Sequence, residues 1–133
     1  MKHRLTTEAI TGGVTGPLAA PRTLILGRYG HSGHLRVVAR STPLSAPARL
    51  EAAALLAAAG DEHPWPEVLP AGWAGGLPGV EEPIAYTRVR PEPVVEISVD
   101  AAAEHGRWRH AVRYLRGPPG LGPEDVPTGL DLE

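Results

Sequence analysis

Two runs of alternating side chains with a glycine turn between them constrain this chain more than any other feature of its sequence. Thr23-Leu24-Ile25-Leu26-Gly27-Arg28-Tyr29 and Leu35-Arg36-Val37-Val38-Ala39-Arg40 flank Gly30-His31-Ser32-Gly33. Glycines are available there for positive φ, so the pair reads as a β-hairpin. Period-two alternation puts Leu35, Val37 and Ala39 on one face and Arg36 and Arg40 on the other. His31 and His34 flank the tip, but no carboxylate is near them in sequence and no third ligand is evident, so they read as turn residues and no metal site is expected.

A second pair of alternating arms lies between Arg90 and Arg116. In the first arm Val95, Ile97 and Val99 share a face. In the second, Arg107 to Arg116, alternation sends Trp108, Val112 and Tyr114 one way and Arg107, Arg109 and Arg113 the other. That guanidinium stripe has no carboxylate among its sequence neighbours, and an anionic partner suits it. Upstream, Lys2 to Gly13 is β-permissive and reads as a first strand ended by Gly12 and Gly13. No Gly-Lys-Ser/Thr follows these glycines, so the phosphate-loop pattern fails and a bend or bulge is expected.

Between the two hairpins, Ser45 to Gly60 predicts a helix with a serine cap, proline in the first turn and glycine just past the end. Apart from Arg49 and Glu51 it is apolar all round, which predicts a largely buried helix that plugs something. Asp61 to Pro83 is a long loop rich in proline and glycine, carrying Trp65 and Trp73. Two readings of these tryptophans are open: they cover an end of the core, or they stack on nucleic-acid bases. Pro91 and Pro93 mark an edge or break before the second hairpin. From Gly117 onward the chain is proline- and glycine-rich and acidic, which divides it into a domain at 1–117 and a tail at 118–133.

Composition narrows the function classes. The 133 residues suffice for one domain. With no Phe, the core must be built from Leu, Val, Ile and Ala. Zero Cys removes disulfides, thiolate chemistry and Cys-ligated zinc, and fits a reducing compartment. No run approaches the roughly 20 apolar residues of a membrane span, and the start is not of signal-peptide type, so no membrane partner and a cytoplasmic location are expected. The net charge of −2 conceals a segregation. Residues 1–42 carry six basic side chains against one acid and residues 106–117 four Arg and no acid, while residues 43–105 hold ten acids against three Arg. The two basic segments form a patch only if the fold unites them.

The element order is strand, strand, strand, helix, strand, strand. That is the order of a five-stranded Greek-key OB-fold barrel, a mainly β fold with its helix between strands 3 and 4, a long Pro/Gly-rich loop and a record of nucleic-acid binding. Fold alone does not fix function.

Several stretches, in order and in register, resemble the C-terminal OB domain of bacterial, particularly actinobacterial, ATP-dependent DNA ligases. They are Lys2-His3-Arg4 with Thr7 to Gly13, Leu26 to Arg36, Arg90 to Ile97, and Gly106-Arg107-Trp108-Arg109-His110 ending in Tyr114-Leu115-Arg116. The resemblance implies that the domain grips nicked double-stranded DNA across the minor groove during nick sealing in repair, replication or recombination. It also implies a nucleotidyltransferase domain N-terminal to it, which uses ATP and Mg2+ in the parent enzyme. No Lys-x-Asp-Gly occurs here, so this piece alone is expected to be inactive, with no catalytic residue and no cofactor of its own. By the same resemblance Lys2, Arg4 and Arg116 fall on positions near the nucleotide phosphates. Arg116 is not followed by the Asp-Lys of the family's last motif, although Pro123-Glu124-Asp125-Val126 keeps its ending, so DNA gripping is the better-supported role. The expected DNA contacts are Arg28, Arg36, Arg40, Arg107, Arg109 and Arg113, which neutralise phosphates without reading sequence. A stand-alone module for single-stranded DNA or RNA and a protein-interaction domain are the alternatives.

Overall fold

The computed structural model describes residues 4–30, 32–59, 63–70, 84–100, 103–104, 107–108, 111–117, 120 and 122–128. Its strands are β1 (Arg4–Thr15), β2 (Thr23–Tyr29), β3 (Leu35–Arg40), β4 (Val68–Leu69), β5 (Ile84–Ala85), β6 (Thr87–Arg88), β7 (Val94–Asp100), β8 (Ala103–Glu104), β9 (Arg107–Trp108) and β10 (Arg113–Arg116). One α-helix, α1 (Ala46–Ala53), lies between β3 and β4.

The main sheet runs in the order β10-β7-β1-β2-β3. β1 is its axis, pairing antiparallel with β7 along Arg4 to Ile10 and with β2 along Ile10 to Thr15. The ladder does not close. Its two edges meet at a parallel bridge between Ser41 and Val112, where the Thr42 N–H donates to Val112 O at 2.7 Å and the Val112 N–H to Arg40 O at 2.9 Å. This strand order, with a parallel contact joining the third and last strands, is the OB arrangement expected from the order of elements.

Both faces of β2 are buried. One cluster draws on β1, β2, β3 and β7, through Ala9, Leu24, Leu26, Ala39, Ile97 and Val112 among others, and so fills the barrel. A second lies on the opposite face of β1, β2 and β3, where Ile10, Ile25, Leu35 and Val37 pack with Trp65 and Leu69. Trp65 is only 3% exposed and its indole N–H donates to Leu35 O at 2.9 Å. Its ring lies flat on the strands because Gly12 and Gly27 have no side chain: a Cβ at either would come within 2.5 or 2.6 Å of it. The β1–β2 register also shifts between Thr11 and Gly13, the expected irregularity at the glycine pair, but the strand does not end there as expected: it runs on to Thr15, paired with β2. Trp65 is therefore a core residue, which removes it as a base-stacking platform. Trp73 lies outside the described residues.

Three expectations need correction. The helix stops at Ala53, well short of Gly60, and only Ala52 on it is buried, with Leu50 68% exposed. Beyond it the backbone extends, with Ala59 N–H donating to Arg88 O and Arg90 N–H to Ala57 O. Satisfying Arg88 to Arg90 in this way outweighs the helix propensity of the alanines. The plug is consequently a small one, Ala52 with the flanking Leu44 and Leu56 against the barrel core. The long loop is not structureless, since β4 pairs with β5 through Val68–Ala85 and Leu69–Ile84. The last arm is not one strand: β9 pairs locally with β8, whereas β10 pairs with β7. Val112 lies between them with both its backbone groups committed to the seam beside β3, so it is unavailable to β7. Past β10, Val126 packs against the outer cluster, anchoring residues 122–128 to the barrel.

Candidate nucleic-acid interface

The seam between β3 and β10 unites the two basic segments. Ser41 and Val112, paired across it, are both buried. Alternation on each side then turns Arg40 and Thr42 outward on one edge and Arg113 outward on the other. Arg113 and Thr42 are exposed and Arg40 is half-buried. The β9 backbone, with Arg107, runs alongside β3, and Arg36 is exposed on the same strand as Arg40.

The guanidinium groups divide by what already holds them. Arg49 donates to Ala20 O at 2.6 Å and to Pro21 O at 3.2 Å, tying α1 to the β1–β2 connection. Arg88 donates to Trp65 O at 3.1 Å and pairs with Glu67 at 3.8 Å. Arg116 pairs with Glu96, its cross-strand partner on β7, at 3.3 Å. Arg40 and Arg113, by contrast, make no ion pair or side-chain hydrogen bond with any described residue, and so keep their full donor capacity.

Arg28 does not belong to the surface. It is 1% exposed, with Nη2 donating to Thr7 Oγ1 at 2.6 Å and to Glu8 O at 2.7 Å, and Nε donating to Glu8 O at 3.0 Å. The β1–β2 ladder ends at Ile10 and Gly27, and the Arg28 side chain takes up the Glu8 carbonyl beyond that point. A DNA contact from Arg28 is thereby corrected to an internal brace. Arg107 is placed by its backbone on β9 and Arg4 by its backbone on β1, opposite Asp100. Lys2 and Arg109 lie outside the described residues.

Beside the seam is a pocket of about 200 Å³ lined by Thr42, Leu44, Ser45, Ala48, Arg113 and Tyr114 among others. Tyr114 donates its hydroxyl proton to Glu51 Oε1, which also accepts from the Gly117 N–H at 3.2 Å. Burial, with the Glu51 carboxylate adding to it, pushes the Tyr114 phenol well above its ordinary range, so the group stays a neutral donor. Tyr86 is likewise pushed up to about 12 by burial and donates to Pro66 O. His63 is displaced the other way: burial lowers its pKa, with the Arg88 charge adding to the shift. The neutral ring accepts the Trp65 N–H at Nδ1, 3.0 Å, and has Nε2 2.9 Å from Val89 O, which assigns its proton to Nε2. This histidine orients Trp65 and has no place at the seam. Thr42 and Ser45 are the pocket residues that sequence reading left out of the site. Ser45 was legible only as a helix cap, and Thr42 gave no signal.

No family model matches this sequence, and no curated protein matches it. Solved structures do. The ligase domain of LigD from M. tuberculosis superposes on 93% of this chain with a TM-score of 0.69 at 26% identity. A mycobacterial DNA ligase D, solved in complex with ATP and MES, covers 95% with a TM-score of 0.63 at 27% identity. The chain resembles a DNA ligase domain. The likeness runs through nearly all of it but spans 38% of each of those ligase chains, and it agrees with the OB-domain resemblance read from the sequence. The ligase comparison also brings ATP into view, since the second neighbour holds it. Arg116 is engaged by Glu96, and no three His, Asp or Glu cluster among the described residues. No helix among them is long and apolar enough to cross a membrane.

Proposed function

We propose that this chain is the DNA-gripping OB module of an ATP-dependent DNA ligase, holding nicked duplex while a nucleotidyltransferase domain in the parent protein carries out adenylation and sealing. The observation that carries the reading is the seam. It brings Arg40 and Arg113, far apart in sequence and uncommitted to internal partners, onto one outer surface of a fold that resembles a ligase domain. Arg36 is exposed further along β3, and the β9 backbone that carries Arg107 runs beside that strand. Contacts of this kind position a backbone without reading bases, as an enzyme that seals nicks in any sequence requires. ATP and Mg2+ belong, on this reading, to the partner domain. The burial of Trp65 argues against a stacking platform for single strands.

The test is fluorescence anisotropy with nicked duplex, intact duplex and single-stranded DNA of equal length at several salt concentrations. Nicked duplex is expected to bind best, with a log-log salt slope of about −3 if three arginines contact phosphates. Replacing Arg36, Arg40 and Arg113 together by Ala is expected to flatten that slope. A preference for single strands, or a slope untouched by the triple replacement, overturns the assignment.

A further inference from the structure

The pocket beside the seam has a composition that a plain strand edge lacks. Its walls come from two pieces of chain far apart in sequence: residues 42–48, which run from the connection after β3 into the first turn of α1, and the start of β10. Both bring polar side chains to its lining. Arg113 brings a guanidinium with no internal partner, and Thr42 a hydroxyl that makes no hydrogen bond among the described residues. Ser45 Oγ accepts from the Ala48 N–H at 3.3 Å as the helix cap, which leaves its own proton to donate outward. No carboxylate is among the described residues that line the pocket, and Glu51, the acid of α1, is held by Tyr114 and the Gly117 N–H. The same hydrogen bond pins the Tyr114 ring as a fixed wall. The α1 terminus itself contributes little: Pro47 has no N–H, and that of Ala48 is taken by Ser45.

We infer that this pocket seats one backbone phosphate of the bound DNA, with the Arg113 guanidinium and the hydroxyls of Thr42 and Ser45 donating to its non-bridging oxygens. The inference rests on the DNA-gripping reading and sharpens it. The arginines of β3 act as diffuse charge, whereas this pocket fixes the register of the strand by holding a single phosphate in a walled site. A guanidinium and two hydroxyls around one anion, with no acid and no base-reading amide beside them, suit a phosphodiester.

The experiment is a methylphosphonate scan, in which each phosphate of a nicked duplex is made neutral in turn and binding is measured to the wild-type chain, to Arg113→Gln and to Thr42→Val. The expected result is one position at which neutralisation weakens wild-type binding about tenfold and weakens binding by either variant far less, because its partner is already gone. If every position costs wild type and variants alike, Arg113 acts as diffuse charge and the pocket assignment is overturned, while DNA gripping stands. If wild type does not bind nicked duplex at low salt, both readings fall. A competing arm uses AMP and inorganic phosphate: perturbation of the Thr42 and Arg113 amide signals by either ligand, with a flat methylphosphonate scan, assigns the pocket to a small phosphate ligand and overturns the proposal. Thr42→Val is nearly isosteric and spares the Thr42 N–H bond to Val112, so it keeps the test decisive should Arg113→Gln perturb the fold.

Discussion

Arg28 carries the same charge as Arg40 and sits on the neighbouring strand, yet the two have opposite fates, and the difference lies in where a ladder ends. Replacing Arg28 by Met strands the Glu8 carbonyl and the Thr7 hydroxyl in a buried site. It is expected to lower unfolding free energy by about 3 kcal/mol, read from urea denaturation, with the DNA affinity of the folded fraction unchanged. Arg40→Ala is expected to do the reverse, weakening DNA binding and leaving stability almost untouched. Strict alternation put Leu35, Val37 and Ala39 on one face and Arg36 and Arg40 on the other, but the register shift in the β2–β3 pairing divides both sets, with Val37 in the outer cluster and Ala39 in the barrel core; nor could alternation show that β1 and β2 part company after Gly27. His63 gives a second residue-scale prediction. Its folded pKa lies below the ordinary 6.5, so between those two values the unfolded chain binds more protons and stability rises with pH. Above 6.5 the His63 contribution is complete, and it is lost as pH falls towards the folded value, since the imidazolium cannot accept the Trp65 N–H. Urea midpoints at about pH 7.5 and about pH 5.5 are expected to differ less in His63→Ala than in wild type.

The helix shows how local signals and the needs of neighbouring backbone divide the labour among elements. The start of α1 was plain in the sequence: Ser45 caps Ala48 and Pro47 occupies the first turn. Ser45→Ala is expected to cost about 1 kcal/mol in the same denaturation experiment. The end of α1 was not legible, because alanine after alanine favours continuing the helix and nothing in those residues announces that Arg88 and Arg90 need partners. The split of the last arm has the same origin, a demand at Val112 from the distant β3. The two strands of the first hairpin were read with the bounds they have in the structure, since strands and turn are local to one another. What no local pattern conveyed is that β2 is buried on both faces, its outer one covered by Trp65 and Leu69 from a stretch that reads only as loop.

Across the whole molecule, the order of elements was enough to give the OB arrangement, and charge segregation was enough to suggest an anionic partner. Where the arginines converge required the coordinates. Among the described residues, the seam there is held by one bridge and two backbone hydrogen bonds. On the proposed function, a strand of DNA held by Arg40 on one edge and Arg113 on the other would tie those edges together from outside. Binding and barrel closure then share one free energy, and each must favour the other. The amides of Thr42 and Val112 are expected to exchange with solvent more slowly when nicked duplex is bound, beyond any change at the Ile10–Thr15 ladder. If the proposed function holds, the joint would behave as a clasp fastened by the bound DNA: loose before binding, firm once a nick is held.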